Sequence, residues 1–453
     1  MIRSPLVRLR RLAGLGALLG LSACARFHPA PLALRPSPAA SLAALDRALP
    51  GGGTIAARGA LTPGAYAALA VLNDPALAAG REGVRLASAR QFAAGLLPDP
   101  QVSGGFAALL GGPGIAPSIS GGIAQDIAAL ATRGPRLSAA RARTAAAAAR
   151  LEWQEWQVAA KAETLAIGLW GEQRRLAALA RARDALAGLD RASRAAIKQG
   201  DLALGAGAAA AASLAGIETA RDAIARREQA DHAALAALLG LAPGAALPVS
   251  EPDLAPLPAR LVAALVGSLA RRRPDLIALR YGYRAADADL RAAIRAQFPL
   301  VSLAVNGGTD TTRVASLGPT ITLDLPLFDG HRGAIAVARA SRRQLAAAFR
   351  AALDQAAGQA EAAQQALTLL DAEYRRAVRG AAIARRDAAA ARRAYAAGLI
   401  DARAEADLID AAANRRAEAI DLRARIAAGR VSLRTLLGAG LPVIRSLSAS
   451  GKD

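Results

Sequence analysis

One cysteine, one methionine and three histidines stand among 453 residues, and aromatic side chains make up 3% of the chain. Each scarcity removes a class of explanation. A single cysteine, Cys24, cannot close an internal disulfide. His28, His232 and His331 are isolated, and none stands in an HExxH spacing, so no metal-hydrolase pattern is present. The formal net charge is +21, yet there is no dense Lys/Arg tail and no aromatic interleaving of the kind that reads nucleic acid. Arginines alternate with acids along helical stretches and read as solvated faces. Gly51-Gly52-Gly53 does not lie between a strand and a helix, so it is not a phosphate loop. No catalytic constellation emerges, and the expectation is a non-enzyme with no cofactor, no metal and no nucleic-acid partner.

Proline is absent from Gly333–Ala397, a stretch dominated by the good helix formers alanine, arginine, leucine and glutamine. Its larger apolar residues Leu345, Phe349 and Leu353, then Leu367, Leu370, Tyr374 and Val378, recur in steps of three and four. A helix of this length measures about 100 Å, too long for a compact domain. A second proline-free stretch spans Leu137–Lys198.

The N-terminus reads as a secretion signal. A basic region reaches Arg11, and the apolar run Leu12–Leu21 is too short to span a bilayer comfortably. It ends in Leu21-Ser22-Ala23-Cys24, which looks like a bacterial lipobox. Residues 1–23 are expected to be the signal peptide, with a covalent lipid on Cys24. Ala25 follows, so no aspartate marks the protein for the inner membrane.

Residues 24–64, rich in proline, glycine and alanine, read as an extended tether. Residues 65–241 read as helix, strand, loop, strand, very long helix, turn and returning helix. The first helix is expected over Ala65–Ala94, broken near Asn73-Asp74-Pro75. Strands are expected at Gln101–Leu109 and Ser118–Ala128, joined by Gly111-Gly112-Pro113-Gly114. Residues 242–258 form a linker with five prolines. Residues 259–440 repeat the order: a helix over Pro274–Gln297, strands at Leu300–Asn306 and Thr320–Phe328 around a glycine-containing loop, then the long helix, a turn and a returning helix. Residues 441–453 are a tail. Gly398 follows Gly200 by 198 positions, as Gly438 follows Gly240 and Asp324 follows Asp126, so the chain is an internal duplication.

Each strand has an apolar and a polar side, which suits an outer-membrane barrel with Asp126 and Asp324 on the lumen side. Four strands cannot close a membrane barrel. Two copies would supply 8 strands and three would supply 12, with the helices projecting to one side as a tube. The fold class expected is mainly α with a small β part.

Arg272-Arg273-Pro274-Asp275, followed by Ala293 and Phe298-Pro299, resembles the middle of the TolC-type outer membrane efflux proteins, most closely the lipid-anchored branch that serves RND drug pumps. Pro326-Leu327-Phe328-Asp329-Gly330 resembles that family's strand-to-helix junction. Tyr395-Ala396-Ala397-Gly398-Leu399-Ile400-Asp401, with Asp407 beyond it and Leu436-Leu437-Gly438 at the end, resembles its helix turn and returning helix. The resemblance implies a homotrimer: a 12-strand barrel on a 12-helix periplasmic tunnel. It works in outer-membrane lipid and opens when a periplasmic adaptor (membrane fusion) protein and an inner-membrane RND-type pump dock. The family closes the tunnel with tip aspartates. By position Asp407 matches that role, with Asp401, Arg403 and the first-repeat candidate Asp201 beside it. Ala404 and Ala406, and the segment Leu279-Arg280-Tyr281, depart from the family pattern. The function implied is a passive exit duct for small molecules such as drugs. The alternatives are a type I protein-secretion channel, a periplasmic adaptor, which should carry one hairpin and lipoyl-like modules, or a coiled-coil scaffold.

Overall fold

The computed structural model describes residues 27–439 apart from 50–51, 57, 112–113, 115, 203, 299 and 325–327. The lipobox with Cys24, and Pro326-Leu327 of the junction motif, lie outside the described residues. Residues 27–38 form a unit of their own, extended and exposed.

The rest begins with α1 (Pro63–Asn73) and α2 (Pro75–Gly95), each with proline in its first turn and a side-chain cap. Thr62 caps α1, and Asp74 ends it while capping α2 through the Leu77 N–H at 2.9 Å. Strands β1 (Gln101–Ala107) and β2 (Ser118–Asp126) follow, then α3 (Ala128–Gln199) and α4 (Leu204–Leu238). The second half opens with the short α5 (Ala259–Val266) and α6 (Leu269–Arg272), continues through α7 (Pro274–Arg295), β3 (Leu300–Thr309) and β4 (Ala315–Asp324), and ends with α8 (Arg332–Ala396) and α9 (Ala402–Leu437). At 72 and 65 residues, α3 and α8 are each about 100 Å long.

Three expectations need correction. First, α3 starts before Pro135 rather than after it. The ring removes the N–H that would have reached the Ala131 carbonyl, and the Arg295 guanidinium of α7 donates to that carbonyl instead, at 3.4 Å. Second, the glycines after Asn306 are strand, not loop. At Gly308 a Cβ would sit 2.4 Å from the Ile119 carbonyl oxygen, so the close approach of β2 and β3 demands glycine there. The turn comes later and is built by Asp310, whose Oδ1 accepts from the Thr312 and Val314 N–H groups, both at 2.9 Å. Third, the last strand is therefore Ala315–Asp324, not Thr320–Phe328. The last described pair is Asp324 with Leu300, the first residue of β3, and Phe328 is in a turn. Likewise β1 stops at Ala107, β2 at Asp126 and α7 at Arg295.

The four strands form one antiparallel sheet in the order β1-β2-β3-β4, with β2 and β3 joining the two repeats. Register collects the apolar residues on one face. Val102 lies opposite Ile123, Ile123 opposite Val305, and Leu303 opposite Ile321. The other face carries Ser103, Ser120, Asn306 and Thr320. The apolar face is bare: Val102 is 79%, Ile123 58% and Ile321 62% exposed. Among the described residues, no helix is long and apolar enough to cross a membrane.

The helices pack around α3, which meets α2, α4, α7 and α9; α4 also meets α9, and α8 packs against α7 and α9. Packing is close because the side chains are small. At Gly171 a methyl group would lie 2.9 Å from the Ala424 Cβ, which sets the approach of α3 and α9. Around mid-α3 lies a collar. Leu42, Leu45, Ile55 and Leu61 of the tether, with Tyr66 and Leu69 of α1, bury against Ala162, Ala166 and Leu169 and against Leu235, Leu239 and Leu247. Backbone bonds clip the tether to the end of the first repeat, Ala39 N–H to the Gly240 carbonyl, and to the linker, Leu61 N–H to the Pro248 carbonyl, both at 2.9 Å.

Gly171→Val, which overpacks the α3–α9 approach, is expected to destabilise by about 1–3 kcal/mol and to lower the apparent Tm. Gly188→Ala, with nothing within 4 Å of the new methyl group, is expected to raise it by the helix-propensity gain of about 0.5–1 kcal/mol. Thermal unfolding of the two variants checks both signs.

Candidate functional site

Both hairpins turn in the same way. α3 ends at Gly200 (φ 83°) and α8 near Gly398 (φ 70°), the left-handed region that glycine enters without strain. The N–H of Asp201 donates back to the Ala196 carbonyl at 2.9 Å, and that of Leu399 to the Ala394 carbonyl at 2.8 Å. Asp201 therefore stands where the second repeat has Leu399, and it is not the counterpart of Asp401. Asp401 caps α9, its Oδ1 accepting from the Ala404 N–H at 2.8 Å. Arg403 and Asp407 are exposed on the first turns of α9.

The tips are tied together by small side chains. Ala402, Ala406, Ile409 and Ala413 of α9 pack with Leu179, Leu186 and Leu189 of α3 and with Ala210 and Ile217 of α4. This explains Ala406, one of the departures near Asp407: it is fully buried in the seam, where a larger side chain would force the helices apart, whereas Ala404 is half-buried outside it.

Two further acids were missed in the sequence. Glu405 is buried at 6% exposure, and burial pushes its carboxyl up against the opposing pull of Arg392. Asp410 is pushed up by burial, relieved by the Asn414 amide at 2.9 Å and pushed further by Asp407. The i,i+3 spacing of Asp407 and Asp410 was the available signal.

At the other end of the helices, Asp126 is exposed, and its Oδ1 accepts from the Ala129 N–H at 3.1 Å in the first turn of α3. Asp324 is the last residue of β4, opposite Leu300. Alternation puts Asp126 on the polar face. Phe328 is exposed beside the start of α8, and Asp329 Oδ1 accepts from the His331 N–H at 3.1 Å.

The motif Arg272-Arg273-Pro274-Asp275 is a clamp. Arg273, 6% exposed, grips Asp275 with two bonds of 3.0 and 2.6 Å and lies over the Trp153 ring at 4.7 Å. Arg272 donates to the Gly438 carbonyl at 3.0 Å. The start of α7 is thereby pinned to the end of α9.

Above the tips, α3, α8 and α9 enclose an open groove of about 760 Å³. Its floor is alanine, including Ala178, Ala388 and Ala413. Its rims carry Arg174 and Arg181 of α3, Arg385 and Arg392 of α8, and Arg416 and Arg423 of α9. Arg423 pairs with Glu251 of the linker and lies over Trp170. Among the described residues, the other five arginines have no ion pair.

Residues 265–439 match the outer membrane efflux protein family. Outer membrane protein OprJ of Pseudomonas aeruginosa is 33% identical over 137 residues, 27% of this chain and 28% of that protein, so the alignment spans well under half of this curated relative. The fold is similar to that of the outer-membrane channel OprN, with a TM-score of 0.72 at 18% identity, covering 92% of this chain and 100% of that one. VceC of Vibrio cholerae gives 0.70 at 20% identity, covering 84% and 97%. The open state of the Neisseria gonorrhoeae MtrE channel gives 0.67 at 18% identity, covering 92% and 99%.

Asp401→Ala is expected to remove the α9 cap at a loss of about 0.5–2 kcal/mol, with Asp401→Asn retaining most of it. Thermal unfolding, read with protease sensitivity at the Gly398 turn, checks this.

Proposed function

We infer that this chain, which belongs to the outer membrane efflux family in its second half and has the fold of TolC-type channels throughout, is the outer-membrane exit duct of a tripartite efflux system. The carrying observation is a four-stranded sheet with one bare apolar face, continuous with two helices of about 100 Å, both ends of the layer left open. β1 and β4 each have one unpaired edge. α8 exposes Val337, Leu369 and Ile383, and α2 exposes Leu86 and Phe92. Joining β4 of one copy to β1 of the next satisfies the strand edges in lipid. Three copies, the number the TolC-type fold implies, close a 12-strand barrel and a tunnel walled by the four helical columns of each chain. A strand of about ten residues, tilted, matches an apolar band of about 25 Å. The sheet's polar face, with Asp126, then lines the lumen.

The lipid on Cys24 belongs to the same reading, as a second membrane attachment. An adaptor is excluded as the identity of this chain by its two hairpins and its sheet. The adaptor is instead the partner assigned to the arginine-rimmed groove. The linker residue Glu251 closes one end of that groove, which puts the groove on the outer wall, since a linker on the inner wall would obstruct the duct. At the tips, Asp407 is the residue assigned to the resting gate, reinforced by Asp410 one turn on, with Asp401 and Arg403 beside it. The transported compounds are small molecules driven by a partner RND-type pump.

Imaging of the detergent-extracted protein is expected to give three-fold cylinders with a tube of about 100 Å beyond the detergent belt; monomers or rods without a belt would overturn the duct. Arg385→Glu with Arg392→Glu is expected to lower drug resistance and adaptor pull-down at least tenfold while leaving the trimer intact. Unchanged pull-down would remove the groove from the reading. Asp407→Ala is expected to raise resting conductance and uptake of large antibiotics, both measurable in bilayers and cells.

A further inference from the structure

The middle of the first hairpin contains a buried acid that neither the duct nor its gate uses. Glu172, on α3, is 4% exposed, and its Oε2 has no hydrogen-bond partner. One helical turn earlier stands Gly168, and the reason for a glycine there is visible across the seam. A Cβ at Gly168 would lie 2.7 Å from Oδ2 of Asp231 on α4. The missing side chain makes a notch in α3, the Asp231 carboxylate fills it, and Glu172 borders the same notch.

The surrounding charges do not neutralise the pair. From α4, Arg227 faces it as a cation and Glu228 as a further anion. Glu228 accepts from the Gln173 amide of α3 at 3.4 Å. On α3 itself Arg175 is the nearest cation, but its guanidinium is engaged by Asp421 of α9 at 3.1 Å. Three carboxylates thus share Arg227 and a part of Arg175. Burial first, and then Asp231, push Glu172 up to about 7, against the pull of Arg227 and Arg175. Burial also pushes Asp231 up, opposed by Arg227.

We propose that Glu172 and Asp231 form a proton-operated latch between α3 and α4: while the pair keeps one proton the two helices stay packed through the Gly168 notch, and release of that proton to water leaves two like charges in the notch and loosens the hairpin at mid-height. The sign follows from linkage. A carboxyl whose packed-state affinity for protons is raised stabilises packing fully below its free value near 4.5. That stabilisation is lost as pH rises toward 7, and above that the effect is constant. Packing of this seam is therefore tight in acid and loose at neutral pH, independently of whether the chain conducts anything.

Hydrogen exchange of the full-length protein in detergent, corrected for intrinsic pH dependence, tests this. The opening equilibrium of the segments around 165–175 and 225–235 is expected to rise by up to about tenfold per pH unit between pH 5 and 7, while segments near 355–370 of α8 stay flat. Glu172→Gln is expected to hold the acid-type protection at pH 7 and abolish the slope. Asp231→Asn is expected to move the midpoint to lower pH by weakening the proton affinity of Glu172. A flat wild-type profile, a Glu172→Gln slope equal to that of wild type, or an Asp231→Asn midpoint that does not move would each overturn the latch.

Discussion

An unpaired strand edge is the constraint on which the rest of this structure depends. A sheet of four strands has two edges, and here each is a full strand long. Its apolar face is also uncovered, so the usual remedy of packing a helix over the sheet is absent. In water such a surface would aggregate, and in lipid its free N–H and C=O groups would be prohibitive. Closing the sheet on copies of itself removes both problems at once. In the proposed closure the helical layer is carried along with the sheet, since α3 begins two residues after β2 ends. On that proposal the long helices are walls whose spacing the barrel sets, not free coiled-coil rods.

Wall spacing explains the composition. The helices meet largely through small side chains, and at the tips α3, α4 and α9 share one seam of alanine, leucine and isoleucine with no buried aromatic ring in it. What holds α3 to its neighbours is proximity. Gly171 against Ala424, Gly168 against Asp231, and Ala402 and Ala406 in the tip seam all bring backbones close and gain dispersion rather than bulk apolar burial. Larger apolar residues gather at the collar of tether, α1 and linker on mid-α3, and again in the tip seam at Leu179, Leu186 and Ile217. That the prolines concentrate in these wrapping segments is consistent with extended backbone tied by single bonds, such as the clip at Leu61.

The long helices, the duplication and the faces of the strands were legible because each is a periodic property that local chemistry enforces. Strand ends were not. β4 was read too late because Gly307 and Gly308 look like a turn, and only the distance from Gly308 to the Ile119 carbonyl shows that the strand needs them. The start of α3 was read too late because Pro135 looks like a helix start, and the bond that rescues the Ala131 carbonyl comes from Arg295, 164 residues away. The tip acids were half legible. Asp401 carries a helix-cap signature, but the burial of Glu405 is a tertiary property, and Glu172 is indistinguishable in sequence from the solvated acids around it.

The surplus of arginine, which in isolation suggests a polyanion partner, has a structural use that the layer itself creates. Helices that end inside a wall leave carbonyls with no neighbouring turn to satisfy them. Arginines fill that role repeatedly. Arg133 donates to the Gly95 carbonyl at the end of α2, Arg81 to Val71 near the end of α1, and Arg272 to Gly438 past α9. Arg430 and Arg434 donate to Leu254 and Ala255 of the linker. A guanidinium presents five donors at the end of a long stem and carries the charge that a helix C-terminus favours. Arg133 and Arg272 do this with no ion pair among the described residues, which lets cations exceed anions, while Arg81 also pairs with Glu155 and Arg430 with Asp371. On the rims of the groove above the tips, Arg174, Arg181, Arg385, Arg392 and Arg416 have neither use, and among the described residues they have no ion pair.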